Sequence, residues 1–197
     1  MREITAADVE HAFGVATESG RFTSLCNALL AAKAASASIG YPTLSEKAGP
    51  DGSFDGEWTI SADANSVGGL AIAGWNVFQF KARSISGQTR GQVISKLKAS
   101  LRGTAVSLAK RLPISNKTPS HYVLFTNLQL GQATPTETAS DAVLSKDRQE
   151  FAAAISEGAP SELKVTIFDA GDLAAAINSN GALKLTYFSP GVGKTWE

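Results

Sequence analysis

The residues best suited to chemistry lie in two short runs. Gly49-Pro50-Asp51-Gly52-Ser53-Phe54-Asp55-Gly56 is a turn-rich stretch with two carboxylates, and Asn76-Val77-Phe78-Gln79-Phe80-Lys81 reads as a strand with a polar end. A turn-held carboxylate facing a strand amide and a lysine is a minimal kit for metal-assisted phosphodiester hydrolysis. The scissile phosphate repels incoming hydroxide, so its charge has to be compensated. Mg²⁺ does this as a Lewis acid, taking oxygen ligands while keeping several waters. Asp55 offers a carboxylate, Phe80 a main-chain carbonyl and Gln79 an amide oxygen to such an ion. Lys81 is suited to orienting the attacking water or stabilising the pentavalent phosphate. A neutral Gln79 asks for a further acid, and Glu18, Asp51 and Glu57 are the candidates. The competing reading of Asp55 and Lys81 is a solvated turn and an edge lysine.

The charge pattern points the same way. Net charge over the 197 residues is zero, yet residues 64–136 hold nine Lys or Arg and no Asp or Glu. The flanking segments are acidic: residues 1–63 net −5 and residues 137–197 net −4. A basic face on an acidic body can steer a polyanion, unless the flanking acids fold back and neutralise it. Arg83, Arg90, Lys96, Lys98 and Arg102 follow the candidate strand, with Ser84, Ser86, Gln88 and Thr89 among them, and are the candidate phosphate contacts. The alternative for this group is one solvated helix face.

The elements that must position these residues follow from periodicity. Helices are predicted near Asp8–Ser19 and Phe22–Ser38, then strands at Glu57–Ser61 and Asn76–Lys81, with Leu70–Ala73 a strand or a packed loop. On the second strand Val77, Gln79 and Lys81 share one face, and Asn76, Phe78 and Phe80 the other. A helix over Gly91–Leu112, interrupted at Gly103, precedes a buried strand at His121–Asn127. A helix over Thr138–Ser156, a strand over Glu162–Asp169, a helix over Asp172–Ile177 and a last strand at Leu183–Phe188 complete the chain. Helices separating the later strands predict a single α/β domain over 1–197, a three-layer α/β/α sandwich with a mixed central sheet.

With these residues in place, the chain resembles the PD-(D/E)xK nuclease superfamily, in particular its restriction-endonuclease-like, Mrr-related branch. Asp51-Gly52-Ser53-Phe54-Asp55 is similar to that branch's Gly-Asp-Gly-Gly-Ile-Asp-like turn, with Ser53 in place of a glycine. Gln79-Phe80-Lys81 is similar to its Gln-x-Lys strand, and His121-Tyr122-Val123-Leu124-Phe125-Thr126-Asn127 to its later core strand. The resemblance implies a Mg²⁺-dependent deoxyribonuclease, with Mn²⁺ as a substitute ion. Asp55 and Lys81 would be catalytic, Gln79 would lie in the metal or water shell, and Glu18 would be the helix acid. Relatives place that acid in a Phe-Glu pair, where this chain has Phe22-Thr23. The alternative is therefore a catalytically inactive nucleic-acid-binding or assembly module of the same fold. By the same analogy the chain is expected to be the N-terminal module of a longer protein with an ATPase or sensor domain, an effector of antiviral defence. Duplex DNA is the expected partner, and a homodimer would let two sites cut both strands.

Other features carry less. Cys26, the only cysteine, sits on an apolar helix face and reads as a core thiol. His121 reads as a structural strand-end residue, and Phe78, Phe80, Tyr122 and Phe125 as core aromatics. Gly191-Val192-Gly193-Lys194-Thr195 tempts a phosphate-loop reading, but Phe188 stands where that motif needs its first glycine. The start Met1-Arg2-Glu3-Ile4 lacks signal-peptide character and no 18-residue apolar run occurs, so a cytoplasmic protein without a membrane partner is expected.

Overall fold

A computed structural model describes residues 2–44, 54–61, 67, 69–111, 118–130 and 146–189. Five strands form one sheet in the order β1 (Thr43–Leu44), β2 (Gly56–Ile60), β3 (Gly74–Lys81), β4 (His121–Thr126), β5 (Lys164–Phe168). β1, β2 and β3 pair antiparallel, whereas β3, β4 and β5 run parallel, so the sheet is mixed. Among the described residues seven α-helices accompany it: α1 (Ala6–Phe13), α2 (Ser19–Ala37), α3 (Arg90–Leu101), α4 (Thr104–Arg111), α5 (Lys146–Ser156), α6 (Ala170–Asn178) and α7 (Gly181–Phe188). No helix among the described residues is long and apolar enough to cross a membrane.

The alternation along β3 divides the molecule into two cores. Phe78 and Phe80 pack with Phe13, Phe22, Leu25, Leu29 and Leu173, from α1, α2 and α6. Val77 packs on the opposite face with Leu97, Leu101, Leu108, Tyr122, Leu124 and Phe151, from α3, α4, α5 and β4. Helices therefore cover both faces and make the three-layer sandwich expected from the strand–helix alternation. On the α2 side, the Phe125 ring lies edge-on to Phe80 at 5.4 Å and stacks with Phe168 at 5.3 Å. This ring ladder ties the three parallel strands β3, β4 and β5 together.

Several boundaries are set by local chemistry. Thr89 caps α3, its side chain accepting from Gln92 N–H at 3.3 Å while Gln92 Oε1 accepts from Thr89 N–H at 2.9 Å. Gly103, at φ +60°, stops α3 and lets α4 begin, and its N–H donates to Ala154 O at 2.8 Å. The single interrupted helix of the sequence reading is thus two helices. Leu70 and Ala71 belong to a tight turn closed by a Val67–Ala71 bridge rather than to a strand. The first half of the predicted 138–156 helix lies outside the described residues; α5 occupies the remainder.

The predicted last strand is a helix. Leu183-Lys184-Leu185-Thr186-Tyr187-Phe188 alternates roughly as a strand would, but Leu183 and Tyr187 are also one helical turn apart. Asn180 decides between them: its Oδ1 accepts from Ala182 N–H at 3.1 Å and Leu183 N–H at 3.2 Å, starting α7. Leu183, Tyr187 and Phe188 then pack on the α2 side, and Leu185 is left exposed.

His121 is structural, as its strand-end position suggested. Asn76 Oδ1 already accepts from Ile72 N–H at 2.8 Å and faces His121 Nδ1 at 3.2 Å, so Nδ1 carries the proton. Nε2 then accepts from Thr166 Oγ1 at 2.8 Å. Burial, reinforced by the Lys164 charge, pushes the imidazole down from 6.5 to about 4. The unfolded chain therefore binds the proton first on acidification. Stability should be unaffected above 6.5 and fall by about 3 kcal/mol from this residue as pH drops to 4. Urea midpoints at pH 7 and pH 4 check this: His121→Gln should start less stable but show a flatter dependence, and equal slopes would clear His121 of the effect.

Candidate active site

The candidate site forms where β3 outruns β2. The antiparallel ladder ends at Gly56↔Phe78, and Asp55 stands immediately beyond that pair. Its N–H donates to Phe78 O at 2.8 Å, which fixes its backbone, and its Oδ2 accepts the Phe80 N–H at 2.6 Å. A carboxylate thus takes the place that the next residue of a longer β2 would have filled. In an extended strand the N–H and C=O of one residue point to the same side. The Phe80 carbonyl consequently faces the edge at which the Asp55 carboxylate lies. Asp55 Oδ1 has no hydrogen bond among the described residues.

Gln79 and Lys81 project to the face opposite Phe78 and Phe80, by strand alternation. Gln79 is 2% exposed, and its Oε1 accepts a hydrogen bond from the Tyr122 hydroxyl. Lys81 is half-buried and feels the charge of Asp55. The two charged groups are tuned towards each other. Burial pushes the Asp55 carboxyl up, against the Phe80 N–H and the Lys81 ammonium, which hold it down. Burial pushes Lys81 down, with Asp55 opposing and Arg83 reinforcing. Asp55 also acts on its wider surroundings: after burial, its charge is the second influence raising the Cys26 thiol and the Tyr122 phenol. Both therefore stay protonated, Cys26 as the core thiol that its sequence setting suggested.

No family model, curated protein or solved structure matches this chain. What the site can do has to come from its own residues.

The remaining candidates are distributed unevenly. Glu18 lies at the start of α2, where it pairs with Arg21 at 3.2 Å. Arg21 in turn donates to the Tyr187 carbonyl and lies over the Phe13 ring at 5.5 Å. Glu18 thus belongs to the α2–α7 corner, and no hydrogen bond or ion pair joins it to Asp55, Gln79 or Lys81. Glu57 accepts the Trp75 indole N–H at 3.0 Å. Asp51 and its turn partners Gly52 and Ser53 lie outside the described residues.

The basic group is partly neutralised. Arg90 faces Glu10 at 3.6 Å and donates to the Gln129 carbonyl, and Lys98 pairs with Glu150 at 2.8 Å. Acids from both flanking segments do fold back, as the competing reading of the charge pattern anticipated. Lys96 donates to the neutral Gln88 at 2.7 Å, and Arg102 is exposed. Arg83 donates to Ser100 Oγ at 3.0 Å, and burial lowers its proton affinity. Among the described residues Lys81, Arg83, Lys96 and Arg102 have no acidic ion-pair partner.

Two supporting residues escaped the sequence reading. Asn127 clamps the segment after β3: its Oδ1 accepts Arg83 N–H at 2.7 Å and its Nδ2 donates to Arg83 O at 3.1 Å. The Thr-Asn end of β4 was the signal, and its partner was not visible. Tyr122 has its ring in the core as expected, but its hydroxyl reaches Gln79.

The oxygen donors fit a hard divalent cation. Mg²⁺ commonly uses one or two carboxylates and keeps its waters, and one free carboxylate oxygen beside a main-chain carbonyl meets that need. No cluster of three or more His, Cys, Asp or Glu suited to a metal occurs among the described residues.

Proposed function

We propose that this chain is a metal-dependent endonuclease domain that hydrolyses DNA phosphodiester bonds. One observation carries the reading: Asp55, the Phe80 carbonyl and Lys81 are gathered at the end of β3 that β2 leaves unpaired. Asp55 Oδ1 and the Phe80 carbonyl would hold Mg²⁺, which supplies Lewis-acid compensation of phosphate charge when bound. The Phe80 N–H keeps Asp55 Oδ2 occupied and so leaves Oδ1 as the oxygen turned to the ligand. Lys81, as an ammonium, orients the attacking water or neutralises charge on the phosphate oxygens. Arg83, Lys96 and Arg102 would bind duplex phosphates without reading bases.

The test is cleavage of supercoiled, linear and single-stranded DNA with Mg²⁺ or Mn²⁺, comparing wild type with Asp55→Ala and Lys81→Ala. Lys81→Ala should lose on the order of 10²–10³-fold in rate. Cleavage unchanged in both variants would sink the site assignment. The pH profile has a definite sign. Activity should fall on the acid side as Asp55 protonates, at a higher pH than an ordinary carboxylate. It should fall on the alkaline side as Lys81 loses its proton, earlier than an ordinary lysine. Lys81→Arg should push the alkaline limb upward, because guanidinium stays charged; an unmoved limb would exclude Lys81 as its source.

A second reading is a catalytically silent binding module of the same fold. The pairing of Glu18 with Arg21, with no hydrogen bond or ion pair from it to Asp55, Gln79 or Lys81, favours it. It predicts DNA binding that needs no metal and falls steeply with salt, with no cleavage under any ion.

A further inference from the structure

We infer that Gln79 serves its site as a hydrogen-bond donor to a phosphate oxygen of DNA, with Tyr122 as the positioning residue that sets its amide. This rests on the nuclease-fold reading of the site only in needing a phosphodiester ligand; it does not need catalysis. It also reverses the expectation that Gln79 lends its oxygen to a metal.

The geometry leads there in three steps. Tyr122 is fully buried in the core on the α3–α5 side, among Val77, Leu97 and Leu124, so its hydroxyl has to find a partner nearby. That partner is Gln79 Oε1, to which the hydroxyl donates. An amide whose oxygen is held on one side presents its NH₂ on the other. The second step concerns that NH₂. Gln79 Nε2 has no hydrogen-bond partner among the described residues, yet it is not among their sealed, unpartnered buried atoms, which are Asn27 Oδ1 and Arg83 Nε. On a side chain only 2% exposed, the accessible part therefore includes the donor end.

The third step is the neighbourhood. Gln79 lies between Asp55 at the ladder's end and Lys81 two residues along the same face. Beside a carboxylate, a neutral donor costs no repulsion with an approaching phosphate, whereas a second carboxylate would add to it. Lys81 and the Gln79 NH₂ then form two donors for one phosphodiester, a charged one and a neutral, directional one. The phenol stays protonated because burial and then the Asp55 charge both push its titration up, so it remains a donor across the working range.

Two binding measurements on the intact chain separate donor from ligand: Mn²⁺ by calorimetry, and a fluorescent 20-base-pair duplex by anisotropy in EDTA at low salt. Gln79→Ala should weaken metal-free duplex binding about tenfold and leave Mn²⁺ affinity within twofold. Tyr122→Phe, nearly isosteric, should weaken duplex binding about threefold with Mn²⁺ affinity unchanged. The double variant should lose no more than Gln79→Ala, since the hydroxyl acts only through the amide. A purely structural Tyr122 would lower the urea midpoint and leave duplex affinity alone, which would overturn the positioning role. A tenfold loss of Mn²⁺ affinity in Gln79→Ala, with metal-free duplex binding intact, would overturn the donor role and return Gln79 to the metal. Duplex affinity that falls as stated in a chain that never cuts DNA supports the inference while the nuclease reading fails. Wild type that binds no duplex at low salt removes the phosphate ligand and the inference with it.

Discussion

Asp55→Asn should abolish DNA cleavage and, at the same time, make the fold harder to unfold. The two effects share one cause. Asp55 is 5% exposed, and burial raises its proton affinity by more than the Phe80 N–H and Lys81 lower it. At neutral pH the folded state therefore holds a charge that it stabilises less well than water does. Asparagine has nearly the same shape, and its Oδ1 can still accept the Phe80 N–H at the 2.6 Å contact now made by the carboxylate. The desolvation cost of the charge disappears, and a gain in stability is expected. Cleavage should fall on the order of 10³-fold or more, because the candidate cation loses the Asp55 carboxylate. Sign and pH window follow together. A carboxyl with raised proton affinity contributes stability at low pH and loses it as pH rises through its folded-state titration. The advantage of Asp55→Asn over wild type should therefore be largest at neutral pH and vanish below the ordinary 3.8. Urea midpoints of both proteins at pH 7 and pH 3.5, with plasmid nicking at pH 7, check all of it. A variant less stable than wild type that still nicks DNA would contradict both halves.

The faces of β3 were legible in the sequence because a strand's period is two and the residues there differ sharply in polarity. Val77, Gln79 and Lys81 against Phe78 and Phe80 leaves little room for another arrangement. The layered architecture was legible for a related reason: helix-period segments separate the three parallel strands. What stayed hidden was decided by partners distant in sequence. Glu18 looked available until Arg21 and the Tyr187 carbonyl, 166 residues after Arg21, defined its corner. The charge pattern left open whether flanking acids would fold back, and Glu10 and Glu150 reach Arg90 and Lys98. Tyr122 read as core because nothing local reports that Gln79, 43 residues earlier, would meet its hydroxyl. The last helix was misread because Leu183–Phe188 satisfies both periods, and a single cap at Asn180 settles it.

Asp169→Ala should be the most destabilising polar substitution in the parallel half of the sheet, costing about 2–4 kcal/mol. The residue ends β5 and starts α6, and each of its oxygens has a separate duty. Oδ1 caps the helix, accepting from Gly171 N–H at 2.8 Å and Asp172 N–H at 3.1 Å. Oδ2 accepts from Leu130 N–H at 3.1 Å and pairs with Arg148 at 2.8 Å. Loss of the cap alone costs about 1 kcal/mol. The buried Leu130 N–H left without an acceptor adds about 1–3 kcal/mol. Arg148 keeps its 2.7 Å pair with Asp172, so the charge is not abandoned and the ion-pair share stays small. Asparagine has one oxygen and cannot serve both sets of donors, so Asp169→Asn should fall between wild type and Asp169→Ala. If its Oδ1 keeps the cap, its NH₂ is turned towards Leu130 N–H and Arg148, two donors that it cannot satisfy. Urea denaturation at pH 7 ranks the three proteins. Equality of Asp169→Asn with wild type would show that the Leu130 and Arg148 contacts contribute nothing, leaving the cap as the only function of the residue. The consequence reaches the candidate site through the chain itself. Leu130 follows Asn127, whose amide clamps Arg83, so loosening the Leu130 anchor should weaken duplex binding in the same variant that loses stability.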